Sequence, residues 1–391
     1  MRIAMVGQKG IPTHFGGIER HVEHLSIRLG KAGHEVLVYT RSWFGSANDN
    51  YAQGVRAVVT PTCHTKHLDA IVHTFTSTLH AIRANVDVIH YHGVGPSLLS
   101  WLPRVFAPHI KVVATFHCID RHHQKWNVLA QFILGIGERF ACLFPHRTIA
   151  VSQILQEYCR EKFNAQVDYV PNGIQPPSAL AFGDTKTLDK FGLEPDGYIV
   201  LVSRLVRHKG VHHLINAYRE LQQSGKTGGK KCVIVGGSAF TDDYVDELLT
   251  LVEGDADIVF TGYQEGRELA ALFANAYLVV HPSESEGLPI AVLEAMSYGK
   301  TVLASDIPEN LEVTRNHGMN FRNRDAHDLA KKLEFLFGTP SFVTALGEEA
   351  RRFVEVEYHW DDIARSVNQV YQSLVSQPEN STNEIAAASI R

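Results

Sequence analysis

Two glutamates close together in the sequence can present carboxylates to one ligand from two different elements. The run that contains them extends from His281 to Gly299 and predicts the end of a strand, a loop and then a helix. Pro289 suits the first helical turn, and Gly299 suits the C-terminal cap. Glu286 is therefore expected in the loop at the carboxyl end of the strand, and Glu294 inside the helix.

The start of this helix and a basic loop elsewhere in the chain both offer groups that bind phosphate. Helix N-termini carry free N–H groups and a partial positive charge, so backbone donors at Gly287 and Leu288 can hold a phosphate oxygen. The loop of residues 203–210 follows a predicted strand, and its Arg204 and Lys209 can clamp two adjacent phosphates. The alternative for these two side chains is an ordinary solvated basic loop.

In the first half of the sequence, a glycine-rich loop and a strand-end histidine are the candidates for ligand contact. Gly16 and Gly17 follow the first predicted strand and open a helix, so the backbone can approach a ligand closely. Their spacing differs from the GxGxxG of dinucleotide-binding loops. His117 comes directly after the strand-like run of residues 113–116. Functional and structural roles for His117 are both open, since the chain has 22 histidines.

Composition excludes several classes of protein. A chain of 391 residues exceeds what one hydrophobic core usually serves, so two domains are expected. The formal charge of -5 supplies no basic field, and no nucleic-acid partner is expected. Five widely spaced cysteines argue against a disulfide framework and a zinc site, and fit a reducing cytosol. The N-terminus lacks a signal-peptide pattern, and no stretch reaches the roughly 20 apolar residues of a membrane span.

Short β-branched runs alternate with helix-length amphipathic segments, which is typical of α/β folds with parallel sheets covered on both faces. A first series ends at Pro171-Asn172-Gly173, a second follows a linker rich in Pro and Gly, and from about Asp325 the pattern is helical. Ligands bind beyond the carboxyl ends of such strands, so two facing sheets predict a cleft between domains. The predicted strands are Ile3–Val6, Glu35–Tyr39, Val55–Val59, Val86–His90, Lys111–Thr115, Thr148–Val151, Val167–Val170, Tyr198–Ser203, Lys231–Val235, Ile258–Thr261, Leu278–His281 and Val302–Ala304.

Glu286 and Glu294 form an E-x7-E pair in a PSxxEG and LEAMxxG context, and residues 16–36 follow a GGxExxVxxLxxxLxxxGHEV pattern. In these motifs the chain resembles the retaining glycosyltransferases of family 4, or glycosyl transferases group 1. The resemblance implies the GT-B fold, an α/β architecture of two Rossmann-like domains whose parallel sheets face an interdomain cleft.

The same resemblance, with the composition, predicts how the chain is divided. Residues 1–173 are expected to form an acceptor-side domain, and residues 174–358 a nucleotide-sugar-binding domain. Residues 359–375 are expected to form a helix that packs back on the first domain. Residues 376–391 are rich in Ser, Asn, Glu and Ala and are expected to be a disordered tail.

The resemblance also implies roles for the candidate residues. Arg204 and Lys209 match the family's pair that holds the donor diphosphate and stabilises it as it leaves. Glu294 is expected to bind the ribose hydroxyls and Glu286 the sugar hydroxyls. His117 matches the family's histidine that contacts the transferred sugar.

Further contacts follow from the same comparison. Gly17 is expected near the donor phosphate and the acceptor, and Tyr263 at the nucleobase, through its backbone edge or by ring stacking. Residues 120–123 can line the acceptor side. His90 and His92 either do the same or are satisfied strand-end residues.

No catalytic metal and no cofactor are expected. Asp255 and Asp257 offer the DxD of metal-dependent glycosyltransferases, but they precede a predicted strand and so lie at the amino end of the sheet, away from the expected cleft. Arg204, Lys209 and helix dipoles are expected to take the charge role of a divalent ion.

The predicted function is therefore retaining, metal-independent transfer of a hexosyl group from a nucleotide-diphosphate sugar to a saccharide or lipid-linked acceptor. Family members suggest bacterial cell-surface polysaccharide or glycolipid synthesis, and a cytoplasmic location. The stretch of residues 101–111 is either a surface that contacts the inner face of the membrane or an amphipathic core helix. The alternatives are a catalytically inactive sugar-nucleotide-binding protein and a nucleotide-sugar epimerase of the same fold.

Overall fold

The computed structural model describes residues 1–13, 16–63, 65, 68–119, 128–239 and 241–376, without the side chains of 128–130. The chain divides into two compact units. The first comprises Met1–Pro171 together with the chain from Trp360 onward, and the second comprises Asn172–His359. These limits lie within two residues of the boundaries predicted at 173/174 and 358/359. The predicted disordered tail, 376–391, lies outside the described residues except for Ser376.

The strands of the first unit that the structure describes are β1 (Arg2–Val6), β2 (Glu35–Arg41), β3 (Asn48–Ala52), β4 (Val55–Thr60), β5 (Val88–His92), β6 (Lys111–Phe116), β7 (Arg147–Ala150) and β8 (Val167–Tyr169). They form one sheet in the order β3-β4-β2-β1-β5-β6-β7-β8. Each neighbouring pair is parallel except β3 with β4. The register pairs Ile3 of the central β1 with Val36 on one side and Val88 on the other.

Helices cover both faces of this sheet. Ile3 packs in a cluster with Val22, and the next residue, Ala4, packs in a separate cluster with Ala81. Successive side chains of a strand point to opposite faces, so a strand buried on both faces must be apolar throughout. The helices are α1 (Gly17–Lys31), α2 (Asp69–Arg83), α3 (Val94–Ser97), α4 (Trp101–Phe106), α5 (Val128–Leu143) and α6 (Gln153–Phe163).

The edge strand β3 differs from the sequence-based expectation of parallel strands alone. It runs antiparallel to β4, and its residues Asn48, Asp49 and Asn50 are exposed. Asn and Asp are depleted in strands because they pack poorly on a half-buried sheet surface. An exposed edge strand does not require such packing, so polar residues are tolerated there. The hydrophobic pattern therefore carried no indication of this strand.

The second unit has a six-stranded sheet within the described residues, with strands β9 (Tyr198–Val202), β10 (Lys231–Val235), β11 (Ile258–Gly262), β12 (Leu278–His281), β13 (Val302–Ser305) and β14 (Met319–Phe321). Their order is β11-β10-β9-β12-β13-β14, and the neighbouring pairs are parallel. Numbered within the unit, this is the 3-2-1-4-5-6 order of dinucleotide-binding folds. β14 was not predicted, because its sequence, Met-Asn-Phe, has no β-branched residue and contains an Asn, which is depleted in strands.

The helices of the second unit share one apolar core with its sheet. Leu201 of β9 packs in the same cluster as Leu214 and Leu333, which lie on two helices. Among the helices that the structure describes, none is long and apolar enough to cross a lipid bilayer. The helices of this unit are α7 (Thr185–Asp189), α8 (Val211–Gln223), α9 (Asp242–Leu251), α10 (Gly266–Ala274), α11 (Ile290–Ser297), α12 (Pro308–Thr314), α13 (Ala326–Phe337) and α14 (Pro340–Glu357).

The last helix, α15 (Trp360–Val375), returns to the first unit and packs against α1. Trp360 and Tyr371 are 2% and 0% exposed and belong to the core cluster that contains Ile3. The Tyr371 hydroxyl is 2.6 Å from Nδ1 of the buried His90. The C-terminal segment therefore completes the core of the N-terminal sheet.

Replacing Tyr371 with Phe should lower the free energy of unfolding of the first unit by about 1–3 kcal/mol, because Nδ1 of His90 then stays buried without its partner. All four tryptophans of the sequence fall in the first unit's part of the chain, so urea unfolding followed by tryptophan fluorescence reports on that unit. The control is Ser373→Ala on the exposed side of α15, which should leave the transition unchanged. Equal effects of the two substitutions would contradict this assignment.

Candidate functional site

The candidate residues of the second unit lie where its strand order reverses. β9 and β12 are neighbours in the sheet, although β10 and β11 separate them in the sequence. At such a point the loops after the two strands diverge and leave a crevice, which is where ligands bind in open parallel sheets. Arg204 and Lys209 follow β9, and Glu286 follows β12. The strand order therefore brings the basic loop and the glutamate loop to one place.

Backbone contacts hold these two loops together. The N–H of Glu284 donates to the carbonyl oxygen of His208 at 2.7 Å. Gly210 ends the basic loop with a φ of +68°, and a Cβ on it would lie 2.0 Å from the carbonyl oxygen of Pro282. A residue with a side chain would be strained there and would push the loops apart. Glycine therefore sets the spacing between the two loops.

Lys209, His281 and Glu286 form a buried charge cluster, called here the Glu286 cluster. Oε1 of Glu286 accepts hydrogen bonds from Lys209 Nζ and from His281 Nε2, the second at 2.9 Å. The side chains of Lys209 and Glu286 are 14% and 9% exposed. Burial by itself raises the pKa of Glu286, but the Lys209 charge and the His281 hydrogen bond outweigh it and hold this pKa well below 4.5. The carboxylate is therefore ionised at neutral pH.

The remaining donor-side candidates surround this cluster. Gly287 and Leu288 are buried in the loop before α11, which begins at Ile290, so Pro289 is the N-cap and not a first-turn residue as predicted. Glu294 lies half-buried within α11. The backbone N–H groups of Gly287 and Leu288 therefore belong to the loop. They add to the free N–H groups at the start of α11.

Arg204 and Tyr263 belong to loops that are joined through the loop after β10. Arg204 is exposed, and the next residue, Leu205, donates its N–H to Gly237 at 2.9 Å. Gly236 in turn donates to Gly262 at 3.0 Å. The Tyr263 ring is 48% exposed, and its hydroxyl is 3.2 Å from Glu265 Oε2. An exposed ring at the carboxyl edge of the sheet is available for stacking.

The DxD pair lies at the opposite edge of the sheet. Asp255 and Asp257 immediately precede β11, at its amino end. Asp255 Oδ1 accepts hydrogen bonds from Gln222 Nε2 at 3.1 Å and from the N–H of Asp257 at 3.0 Å. These contacts give Asp255 a structural role in the turn before the strand.

In the first unit, three histidines meet at the carboxyl edge of the sheet. His92 ends β5, His117 follows the neighbouring β6, and His21 lies on α1. Nδ1 of His92 is 3.2 Å from Nε2 of His117. The His21 ring lies 5.0 Å from the His117 ring, measured between centroids, in an edge-to-face arrangement. We call these three residues the histidine trio.

The trio is buried, and burial keeps His92 and His117 uncharged at neutral pH. Its members are 2%, 1% and 7% exposed for His21, His92 and His117. Burial lowers the pKa of His92 and of His117 well below 6.5, and neighbouring histidines lower both further. Gly17, the other candidate in this unit, is the exposed first residue of α1. The uncharged His117 can accept or donate one hydrogen bond to a sugar hydroxyl.

Sequence reasoning missed two of the site's contacts. His281 was assigned only to the strand end, but its ring hydrogen-bonds to Glu286. The two residues are five positions apart across a strand–loop junction, and no periodic pattern predicts a contact at that spacing. His21 was not singled out, because its neighbours in the trio are about 70 and 100 residues away in the sequence. His90 is a satisfied residue, with Nε2 at 2.6 Å from Thr115 Oγ1. The acceptor-side candidates at 120–123 lie outside the described residues.

Two protein families match the chain. Residues 15–176 match the family described as Glycosyltransferase Family 4, and residues 185–373 match the family described as Glycosyl transferases group 1. The first match falls mainly on the first structural unit and the second match mainly on the second unit. Together they cover most of the sequence.

Relatives and solved structures agree with these matches. Glycogen synthase from Mycobacterium tuberculosis is 25% identical over 410 residues, which span 95% of this chain and 94% of that protein. Sucrose-phosphate synthase from Thermosynechococcus elongatus is similar in structure, with a TM-score of 0.82 at 20% identity over 95% of this chain and 98% of that one. Anabaena HepE in complex with UDP and glucose has a TM-score of 0.77 at 18% identity, over 95% and 100%.

The two largely parallel sheets described above, each packed against helices, match the Rossmann-like domains of these structures, and the predicted GT-B fold is confirmed. The family matches also confirm the resemblance found in the motifs around Glu286 and Gly17. The chain belongs to the glycosyl transferases group 1 family and is a glycosyltransferase of the GT-B fold.

Proposed function

We propose that the enzyme transfers a hexosyl group from a nucleoside-diphosphate sugar to a saccharide or lipid-linked acceptor, with retention of configuration and without a catalytic metal. The observation that carries this proposal is the Glu286 cluster, an ionised buried carboxylate beside a lysine at the reversal of strand order. HepE, which has a similar fold, binds UDP and glucose. Nucleoside diphosphates need cationic partners, and this loop supplies them.

The donor diphosphate is assigned to Arg204 and Lys209. Arg204 is exposed on the loop after β9, and its guanidinium can reach a phosphate bidentately. Lys209 pairs with Glu286, and its ammonium has three N–H donors, so it can keep that contact and bind a phosphate oxygen as well. The loop N–H groups of Gly287 and Leu288 add neutral donors. These groups together offset the charge that develops on the leaving diphosphate.

The sugar and the ribose are assigned to the carboxylates. Glu286 is ionised and its Oε1 is already taken by Lys209 and His281, so Oε2 is the oxygen offered to sugar hydroxyls. Glu294 on α11 is assigned to the ribose hydroxyls and Tyr263 to the base. His117 is assigned to the transferred sugar. Gly17 is assigned to the donor phosphate and the acceptor.

In the proposed reaction the bond between the anomeric carbon and the diphosphate oxygen breaks, and a bond from the acceptor oxygen forms on the same face of the sugar. The acceptor's hydroxyl proton passes to a non-bridging oxygen of the leaving phosphate, so no protein base is required. The leaving diphosphate thus takes up the acceptor's proton, and the reaction as written requires no metal ion.

The test is a screen of radiolabelled nucleoside-diphosphate sugars with saccharide and lipid-linked acceptors, with and without EDTA. Transfer that survives EDTA, with a product whose anomeric configuration by NMR equals that of the donor, is expected. An epimerase would return an altered nucleotide sugar, and an inactive binding protein would return the donor unchanged. Inversion, or loss of transfer in EDTA, would overturn the corresponding part of the proposal.

Lys209→Ala should lower kcat/KM for the donor by about 10- to 150-fold, since a charge-assisted phosphate contact contributes about 1.5–3 kcal/mol. The matched control is Arg207→Ala in the same loop. Arg207 is exposed and pairs with Glu247, away from Glu286, so its removal should change kcat/KM little. Equal losses in the two variants would refute the assignment of Lys209.

The ion pair between Lys209 and Glu286 also predicts how the stability of the fold depends on pH. Lys209→Met should raise the pKa of Glu286, because burial is then opposed by His281 alone. A carboxyl whose folded-state pKa is depressed stabilises the fold above its unfolded value of 4.5, and this contribution is lost as pH falls through the folded pKa. The stability advantage of the wild type over Lys209→Met should therefore shrink below pH 4.5.

Carboxyl 13C NMR, assigned with Glu286→Gln, measures this pKa, and circular dichroism measures unfolding. The control is Lys190→Met, since Lys190 and its partner Glu268 are 58% and 40% exposed. A Glu286 pKa that does not move in Lys209→Met would contradict the role of the ammonium.

A peripheral contact with the cytoplasmic face of the membrane is part of the proposal. α4 buries Leu102 but leaves Val105 62% and Phe106 68% exposed. Exposed apolar side chains at the end of a short helix suit an interface with lipid. Such a contact would serve a lipid-linked acceptor in cell-surface polysaccharide or glycolipid synthesis.

Phe106→Asp should reduce the affinity for phosphatidylglycerol-containing vesicles, measured by co-sedimentation, by about 10- to 150-fold, since burial of a Phe side chain contributes about 1.5–3 kcal/mol. Leu180→Asp is the control, because Leu180 is 82% exposed in the second unit. Equal losses in both variants, or no binding by the wild type, would exclude α4 as a lipid contact.

A further inference from the structure

An exposed tryptophan follows the strand that lies beside β1 in the first sheet. β2 ends at Arg41, and Trp43 comes two residues later. β1 and β2 are parallel neighbours, so the loops that follow them begin side by side at the carboxyl edge of the sheet. The main chain joins these loops, because the N–H of Arg41 donates to the carbonyl oxygen of Lys9 at 2.8 Å. Trp43 therefore lies at the same edge of the sheet as the glycine-rich loop that leads to Gly17.

Three contacts hold the indole ring of Trp43 in place. Its Nε1 donates to Oδ1 of Asp69 at 3.1 Å. The guanidinium carbon of Arg41 lies over the ring, 5.9 Å from its centroid. The ring of the buried Phe44 packs against the indole edge to face, with the two centroids 5.9 Å apart. The protein thus sets the orientation of the ring before any ligand binds.

The side chains that hold the indole are themselves held by one another. Oδ1 of Asp69 also accepts a hydrogen bond from the Thr62 hydroxyl at 2.7 Å. Oδ2 of Asp69 lies 3.0 Å from Nη1 of Arg41. Arg41 and Asp69 are both buried. Their ion pair therefore serves to position Trp43 and is not offered to a ligand.

In spite of these contacts, the Trp43 side chain is 37% exposed. In the described part of the chain it is the most exposed tryptophan, since Trp101 is half-buried and Trp360 is buried. A rigid aromatic ring left in water forgoes the stabilisation that its burial would supply. The neighbouring Ser42 and Ser46 are exposed and polar. One fixed aromatic ring among polar residues suits a small polar ligand, whereas a lipid contact needs a wider apolar face.

A pyranose ring is a ligand that fits these features. It has a face of C–H groups, which packs on a flat aromatic ring, and a rim of hydroxyls, which stay hydrated or bind polar groups at the edge of the site. We propose that Trp43 stacks against a pyranose ring of the acceptor, with Arg41 and Asp69 as positioning residues. This inference rests on the proposed function and narrows it, because the acceptor must then carry a sugar, whether free or attached to a lipid.

The first test measures saccharide binding without donor or turnover. The full-length protein, labelled with 15N at its indole nitrogens, is titrated with the methyl glycosides of glucose, mannose, galactose and N-acetylglucosamine. The indole signal that is lost in Trp43→Phe belongs to Trp43. We expect at least one glycoside to shift this signal, and saturation-transfer NMR of that glycoside to show about 10-fold weaker binding by Trp43→Ala. Trp43→Phe should lose less, because it keeps a flat ring.

The matched control is Phe75→Ala, since Phe75 is 44% exposed on α2 of the same unit. It should bind the glycoside as the wild type does. A Trp43 signal that no glycoside shifts, one that shifts only with phosphatidylglycerol vesicles, or equal losses in Trp43→Ala and Phe75→Ala would overturn the inference. Circular dichroism checks the fold of each variant. Should Trp43→Ala fail to fold, the wild-type spectrum decides, because the inference requires the shift at Trp43 itself.

A kinetic test separates this inference from the proposed function. Trp43→Ala should raise KM for the acceptor by about 10-fold and leave KM for the nucleoside-diphosphate sugar unchanged. Transfer that is insensitive to Trp43→Ala would refute the stacking role and leave the proposed function intact. Glycoside binding at Trp43 in a protein that transfers no sugar would support the platform and refute the proposed function.

Discussion

Parallel pairing of strands that are not consecutive in the sequence is the constraint on which the site depends. β9 pairs with β12, so the loops that follow them begin side by side at one edge of the sheet. The backbone bond from Glu284 to His208 and the close approach of Gly210 to Pro282 then fix the distance between those loops. The basic groups and the carboxylate come together through hydrogen bonding of the main chain, before any side chain contributes.

The charge cluster that results needs its partners. A carboxylate that is 9% exposed loses most of its hydration, and removing one partner of a buried ion pair is strongly destabilising. Lys209 and His281 replace that hydration with charge and a directed hydrogen bond. The first unit solves the same problem differently, because burial keeps His90, His92 and His117 uncharged, and each has a hydrogen-bond partner.

Much of this arrangement could be predicted from the sequence. The apolar strands and the E-x7-E context placed Glu286 and Arg204 correctly on loops and Glu294 on a helix, because these features are local, whereas Lys209 ends a single 3-10 turn. β3 and β14 were missed, since both contain Asn and neither has a β-branched residue, so neither shows the pattern of a buried strand. The meeting of His21 with His92 depends on how α1 packs over the sheet, which local spacing does not encode. The roles of these residues toward substrates stay predictions.

The path of the chain has a consequence for its synthesis. The main chain enters the second unit at Asn172 and leaves it at His359, and near these points Ile174 donates its N–H to Tyr358 at 2.9 Å. The second unit is thus continuous in sequence. The core of the first unit is incomplete until α15 supplies the buried Trp360 and Tyr371. On the ribosome, the domain begun second is the first to have every residue of its core available. The N-terminal sheet must persist with an open apolar face until α15 has been synthesised.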